Sequence, residues 1–227
     1  MRLIILGDSG AAGDHSWPKK LSNKLNCELI NFAKPAAQIL LQIQLMQDWL
    51  IDNDLNKNDI IIWQIGWSLH SVVHIGHEHL DSVQKADRFV KNKLFISHYH
   101  IRDNKIDNKK RISLLPISPI LHKFSNRKKP NDDAEVLHQL LFMLVILKKL
   151  CPHILVTQSQ EEFVKDEHWK NFKKILIEKD IDFIEEGMYN WCISNNLDTE
   201  FFHPTNESYG IYVEQKIYPK LKSLGWI

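Results

Sequence analysis

The sequence has little of what marks secreted or membrane proteins. It contains three cysteines (Cys27, Cys151 and Cys192), an odd number at wide spacing. Such cysteine usage argues against a disulfide framework and favours a reducing compartment. No apolar run reaches the roughly 18 residues that a membrane helix needs. The first predicted strand begins at Arg2 and leaves no room for a secretory signal. We therefore expect a cytoplasmic protein without a membrane partner.

An excess of charge of either sign is also missing. Lys and Arg total 29, Asp and Glu total 28, and the net charge is +1 at pH 7. A balanced chain has no long-range attraction for nucleic acid or for an acidic membrane, so we expect no nucleic-acid partner. The basic clusters at 109–111 and 127–129 are interpreted as solvated loop surface. The sequence contains no fixed-period repeat, and its 227 residues suit one domain.

Apolar stretches alternating with helical patterns predict the fold class. Residues 3–6 are all aliphatic, residues 59–65 (Asp-Ile-Ile-Ile-Trp-Gln-Ile) are strongly strand-like, and a glycine follows each stretch. Runs of branched aliphatic residues suit strands buried on both faces, as in a parallel sheet. Shorter strands are predicted at 27–31, 153–158 and 181–184, and helices at 16–25, 36–50, 132–150, 159–179 and 205–221. This order predicts an α/β protein with three layers, α/β/α, around a mostly parallel sheet of about five strands.

The region from 67 to about 130 does not follow this pattern. Residues 101–111 are rich in charge, and two prolines within 114–119 exclude a central strand. We interpret the region as an irregular insertion or lid in a single domain that spans 1–227. Imidazole is a common zinc ligand, but no recognised ligand spacing accompanies the crowded histidines, so we predict no metal site. These histidines are His70, His74, His77 and His79, with His98 and His100 nearby.

Ser9 is the candidate nucleophile. It follows the first predicted strand, which places it at the carboxyl edge of the sheet, where open α/β sheets bind ligands. A serine hydroxyl needs a base to take its proton, and His203, in a predicted loop before the last helix, is the best candidate. Glu200 or Asp198 would orient the imidazole and stabilise its charged form. Both carboxylates remain open as the third member of a triad.

These motifs resemble those of the SGNH, or GDSL-like, hydrolase superfamily. The first block of that family is a strand followed by Gly-Asp-Ser, which residues 3–9 match. Its last block is an acid, two residues and then histidine, commonly with proline next, and residues 200–204 match it with Glu200 for Asp. The second block runs from an asparagine, here Asn31, to a glycine, where Ala36 stands. The third is a strand leading to Gly-x-Asn, where Ser68 replaces the asparagine.

The resemblance implies an SGNH/flavodoxin-like fold and a serine esterase or acyl hydrolase that needs no cofactor. Ser9, His203 and Glu200 would be the catalytic residues. The oxyanion hole would comprise the N–H groups of Ser9 and Ala36, with Ser68 in the place of the asparagine amide. The implied substrate is a small-molecule or carbohydrate ester. Transfer of the acyl group to an alcohol instead of water stays open, as does the oligomeric state.

The two departures from the family pattern leave alternatives. Losing one oxyanion donor typically costs about 10²–10³ in rate. Either Gln64, Asn31 or a lid residue replaces the missing donor, or the enzyme is slow, or the protein has lost full catalytic geometry and serves in binding or assembly. A nucleotide-binding protein is disfavoured because residues 7–13 lack the lysine of a phosphate loop and do not fit Gly-x-Gly-x-x-Gly.

Overall fold

Five parallel strands form the central sheet of the computed structural model, which describes residues 1–34, 39–66, 133–159, 166–200 and 203–227. They are β1 (Arg2–Leu6), β2 (Glu28–Asn31), β3 (Ile60–Ile65), β4 (His153–Gln158) and β5 (Asp182–Phe183), in the order β2-β1-β3-β4-β5. This is the flavodoxin-like order. The sheet is parallel throughout these five strands, in agreement with the prediction.

Strands β1 and β3 lie inside the sheet and are rich in aliphatic residues, which are buried on both faces. Leu3 pairs with Ile60 and Leu6 with Trp63 across β1 and β3. All four of these side chains are almost completely buried. A parallel sheet needs long crossover connections, which place helices on its faces and exclude water from both sides.

Helices cover both faces of the sheet and complete the predicted three layers. Helices α2, α3 and α4 pack on the face that carries Ile4, Leu6 and Trp63. Helices α1 and α5 and the C-terminal helices pack on the face that carries Leu3 and Ile5. The helices are α1 (Trp17–Leu25), α2 (Ile39–Asp52), α3 (Asp133–Leu150), α4 (Asp166–Glu178), α5 (Met188–Ser194), α6 (Asn206–Tyr212), a π-helical segment (Val213–Ile217) and α7 (Tyr218–Ser223).

Some short elements differ from the prediction. Helix α5 and the antiparallel pair β6 (Thr199–Glu200) and β7 (His203–Pro204) were not predicted. They are too short for a hydrophobic period to develop. The described part of α4 begins at Asp166, downstream of its predicted start at 159. Within the described ranges, no helix is both long and apolar enough to cross a membrane.

The predicted insertion at about 67–130, with its histidines, lies outside the described residues. The described residues belong to a structural unit formed by Met1–Leu69 and Asp133–Ile227. The organisation as a single domain with an insertion therefore stays a prediction.

Candidate active site

Ser9 lies at the point where the strand order of the sheet reverses. After β1 the chain forms β2 on one side of β1, and it then returns to form β3 on the other side of β1. The connection that follows β1 and the connection that follows β3 therefore lead in opposite directions along the sheet. Ligands of open α/β sheets bind in the crevice at such a switch point, beyond the carboxyl ends of the strands. Ser9 follows β1 and Gly66 follows β3, so both lie at this crevice. Ser9 is half-buried between the buried Asp8 and Gly10.

Residues 7–13, which we name the nucleophile turn after the predicted nucleophile Ser9, are held by hydrogen bonds within the turn. The Gly10 N–H donates to Asp8 Oδ1 at 3.0 Å, a bond that forms an Asx turn around Ser9. The Ala11 N–H donates to the Asp8 carbonyl oxygen at 3.1 Å, and the Ala12 N–H donates to the Ser9 carbonyl oxygen at 3.3 Å. The backbone on both sides of Ser9 is therefore fixed.

Two polar side chains attach this turn to neighbouring elements. Ser16 occupies the N-cap position of α1, but its hydroxyl donates to the carbonyl oxygens of Ala11 (3.1 Å) and Gly13 (2.6 Å) and makes no side-chain cap bond. Asn31 Nδ2 also donates to the Ala11 carbonyl oxygen at 2.9 Å, while Asn31 Oδ1 accepts from the Ala33 N–H at 2.9 Å. Asn31 thus serves to join the end of β2 to the turn.

The side chain of Gln64 packs against the nucleophile turn from the protein interior. It is fully buried, its Oε1 accepts from Trp17 Nε1–H at 3.0 Å, and its Nε2 donates to Met188 Sδ at 3.9 Å. A Cβ atom at Gly7 would lie 3.2 Å from Gln64 Cβ, and one at Gly10 would lie 3.1 Å from Gln64 Nε2. The close approach explains both glycines. It also places Gln64 in a supporting position beneath the turn, and its role as a replacement oxyanion donor stays a prediction.

Asp8 connects the ends of three strands. Its side chain lies against Gly66, where an added Cβ would overlap the carboxylate and stand 2.6 Å from Asp8 Cβ. The hydroxyl of Ser159, which follows β4, donates to Asp8 Oδ2 at 3.3 Å. The sequence analysis treats Asp8 only as a motif residue and places Ser159 at the start of the helix predicted at 159–179. The sequence feature that could have indicated this contact is Gly66, because it has no side chain and directly follows a strand of bulky residues.

Helices α5 and α6 link the nucleophile turn to the segment that carries His203. Met188 of α5 lies close to Gly10, since an added Cβ there would stand 3.0 Å from Met188 Cε. Burial raises the pKa of the Tyr209 hydroxyl in α6, and the negative charge of Asp8 raises it further. Both helices contact β7, in which His203 lies. The same two helices therefore contact β7 and have residues beside the nucleophile turn.

Glu200 and His203 are directly opposite each other in the β6–β7 pair. Opposed residues of an antiparallel pair place their Cβ atoms about 5 Å apart on one face. His203 is half-buried and Glu200 is exposed. The backbone carbonyl oxygen of Asp198 accepts hydrogen bonds from the Thr205 N–H at 3.0 Å and from the Ser208 hydroxyl at 2.7 Å. His203 was expected in a loop, and the structure places it in this short strand.

The other predicted donors of the oxyanion hole, Ala36 and Ser68, lie outside the described residues, so the composition of the hole stays a prediction. The described ranges contain no group of three or more His, Cys, Asp or Glu side chains that could hold a metal ion.

Comparisons with known proteins place the fold. No family model matches the sequence, and no curated protein matches it. Among solved structures, a lipolytic protein of the G-D-S-L family from Veillonella parvula has a TM-score of 0.54 at 10% identity, covering 96% of this chain and 98% of that chain. The psychrotrophic esterase EstA from Pseudoalteromonas sp., inhibited by monoethylphosphonate, has a TM-score of 0.54 at 11% identity, covering 98% and 97%.

A third solved structure, TesA, has a TM-score of 0.51 at 10% identity and covers 99% of both chains. Likeness at such low identity concerns the path of the backbone. The β2-β1-β3-β4-β5 sheet, the helical layers and these matches show that this chain has the SGNH-like fold.

Proposed function

We propose that the protein is a serine hydrolase of the SGNH type that acts on esters. The observation that carries the proposal is the half-buried Ser9 in a rigid turn at the strand-order switch point of the sheet. Crevices at such points bind ligands in open α/β sheets. The solved structures that share the fold, two described as lipolytic or esterase proteins, support ester bonds as the target.

In this mechanism the Ser9 oxygen attacks the acyl carbonyl carbon while His203 takes the hydroxyl proton. The carbonyl oxygen becomes an oxyanion that accepts hydrogen bonds from the N–H groups of Ser9 and Ala36. When the tetrahedral intermediate collapses, His203 returns the proton to the leaving alcohol. Water, activated by His203, then attacks the acyl-enzyme and releases the acid and free Ser9.

Glu200 supplies the charge that holds His203 in this scheme. Its position directly opposite His203 across the β6–β7 pair supports that assignment. Asp198 keeps the alternative role, because the hydrogen bonds that it accepts at the start of α6 involve its backbone carbonyl and not its carboxylate. As substrates we propose acyl esters of carbohydrates or other small molecules, with water or an alcohol as the acceptor.

A second candidate, a catalytically impaired binding or assembly protein, is favoured by a specific observation. Ala36 and Ser68 replace the glycine and asparagine of the family pattern. Of the side chains considered as replacement donors, Gln64 is buried beneath the nucleophile turn and Asn31 is bonded to Ala11 and Ala33. In that case the crevice would bind a small molecule without turning it over.

Labelling with a fluorophosphonate probe tests the first proposal against the second. We expect covalent modification of the folded wild-type protein at Ser9 and none of the Ser9→Ala variant. The matched control is Ser22→Ala, which removes a buried hydroxyl whose partner is the Lys19 carbonyl oxygen within α1. Hydrolysis of p-nitrophenyl acetate and of acetylated sugars should follow the labelling. A folded wild-type protein that is not labelled contradicts the hydrolase proposal and favours the binding protein.

A further inference from the structure

We propose that Ser159 is a positioning residue for Ser9 and acts through the carboxylate of Asp8. This inference rests on the proposed function, because it concerns the reactivity of Ser9. Ser159 is distant from Ser9 in the sequence and lies after β4, with β3 between it and the nucleophile strand. Ser159 is 7% exposed, so its hydroxyl lies among protein atoms and not in solvent.

The first step of the argument is the path of Asp8 across the sheet edge. The Asp8 side chain leaves the end of β1 and passes the end of β3 at Gly66. An added Cβ at Gly66 would occupy the space of the carboxylate. Beyond Gly66, Asp8 Oδ2 meets the Ser159 hydroxyl at 3.3 Å. Because Gly66 has no side chain, the end of β3 leaves room for the Asp8 carboxylate. This carboxylate therefore reaches from the end of β1, past the end of β3, to Ser159 at the end of β4.

The second step is that Ser159 itself is held in place. Its N–H donates to the Ile65 carbonyl oxygen at 2.9 Å, and its carbonyl oxygen accepts from the Tyr189 N–H of α5 at 2.9 Å. The single hydroxyl proton is shared between Asp8 Oδ2 and the Ile65 carbonyl oxygen, both at 3.3 Å. A charged acceptor forms the stronger hydrogen bond of the two. Ser159 thus presents a fixed donor to Asp8.

The third step connects the carboxylate to the nucleophile. Asp8 Oδ1 accepts from the Gly10 N–H at 3.0 Å, and Ser9 lies between these two residues. One oxygen of Asp8 therefore binds Ser159 and the other shapes the turn that carries Ser9. Removing the Ser159 hydroxyl takes this hydrogen bond from Asp8 Oδ2, so the carboxylate can shift, and with it the turn to which Oδ1 is bonded. A displacement of about 1 Å at a reacting group can cost on the order of 10²-fold in rate.

The test compares rates of fluorophosphonate labelling and of p-nitrophenyl acetate hydrolysis for variants of the full chain. We expect Ser159→Ala to lower both the labelling rate and kcat by about 10-fold, with KM within about twofold of the wild type. Ser159→Thr keeps the hydroxyl and should recover most of the rate. Ser22→Ala, the control with a buried hydroxyl bonded inside α1, should react at the wild-type rate. If Ser159→Ala does not fold, Ser159→Cys fills the space with a weak donor and should show the same loss.

A double-mutant cycle with Asp8→Asn shows whether the effect passes through Asp8. We expect Ser159→Ala to cost much less rate in the Asp8→Asn background than in the wild type. The inference is overturned if a folded Ser159 variant without a strong donor reacts at the wild-type rate, if Ser22→Ala loses as much, or if the two effects add independently. An unlabelled wild-type protein overturns the proposed function and, with it, this inference, since there is then no reactive serine to position. A labelled wild type with unchanged Ser159 variants overturns the inference alone.

Discussion

The two halves of the candidate site are built in opposite ways. The nucleophile turn is tied to the core by side chains from elements far apart in the sequence: Asp8 bonds to Ser159, and the buried Gln64 supports the turn from below. The β6–β7 pair that carries Glu200 and His203 consists of two two-residue strands, and Glu200 is exposed. The first half is determined by packing, and the second mainly by a short backbone pairing.

This difference predicts which substitutions should lower stability and catalytic activity together, and which should lower catalytic activity alone. A change in the nucleophile turn disturbs buried contacts, so it should affect folding and reactivity together. A change in the β6–β7 pair removes exposed or half-buried groups, and substitutions at such positions usually change stability by no more than about 0.5 kcal/mol. Such a change should affect catalysis with little effect on folding.

His203→Ala should show the largest separation of the two properties. Loss of a general base typically costs about 10²–10⁴ in rate, while the half-buried position in a two-residue strand predicts a Tm close to that of the wild type. The measurements are kcat/KM on p-nitrophenyl acetate and thermal unfolding followed by circular dichroism. A variant that retains wild-type kcat/KM would remove His203 from the mechanism.

Gly66→Ala should show the opposite behaviour, with stability and reactivity lost together. The added methyl group would overlap the Asp8 carboxylate, and overpacking of this kind costs about 1–3 kcal/mol. The matched control is Gly210→Ala in α6, where the nearest described atom to an added Cβ belongs to the Lys20 side chain, at 3.8 Å. Because alanine favours a helix, the control should be neutral or more stable by about 0.5–1 kcal/mol. Urea denaturation measures both, and equal stability of the two variants would contradict the proposed contact.

Gln64→Leu can be compared with Gln42→Leu, which removes a similar hydrogen bond on the other face of the sheet. Gln64→Leu leaves the buried Trp17 Nε1–H without its acceptor, at a cost of about 1–3 kcal/mol. Gln42→Leu removes an equivalent acceptor, that of Trp63 Nε1–H at 2.6 Å, on the other face of the sheet. We expect similar losses in the free energy of unfolding. Only Gln64→Leu should slow fluorophosphonate labelling, because only Gln64 lies beneath the nucleophile turn.

The smallest effects should come from the two candidate acids. Glu200→Gln removes the charge directly opposite His203, and we expect kcat to fall about 10-fold with the free energy of unfolding unchanged within about 0.5 kcal/mol. Asp198→Asn leaves the backbone carbonyl that binds Thr205 in place, so its kcat should stay near that of the wild type. The reverse order in the pH-independent kcat would assign the role to Asp198.

Sequence reasoning was most successful where a long apolar period carried the signal. The strand at 153–158 was predicted with the bounds that β4 has, and the five-stranded parallel sheet followed from the alternation of elements. Helix α5 and the β6–β7 pair were missed because seven-residue and two-residue elements are too short for periodicity to show. The contact between Asp8 and Ser159 was missed for another reason, since it joins residues from two distant segments.

The sequence alone determines the layered α/β fold, since runs of branched aliphatic residues at 3–6 and 60–62 suit strands that are buried on both faces of a parallel sheet. It also places Ser9 at the carboxyl end of the first strand. What only the tertiary structure decides is the support of that serine: Gly66 admits the Asp8 carboxylate, Ser159 meets it, and Gln64 lies beneath the turn. The physical reason is that periodicity reports which faces are buried along one element. Hydrogen bonds across the sheet edge depend on how separate strands are ordered and registered.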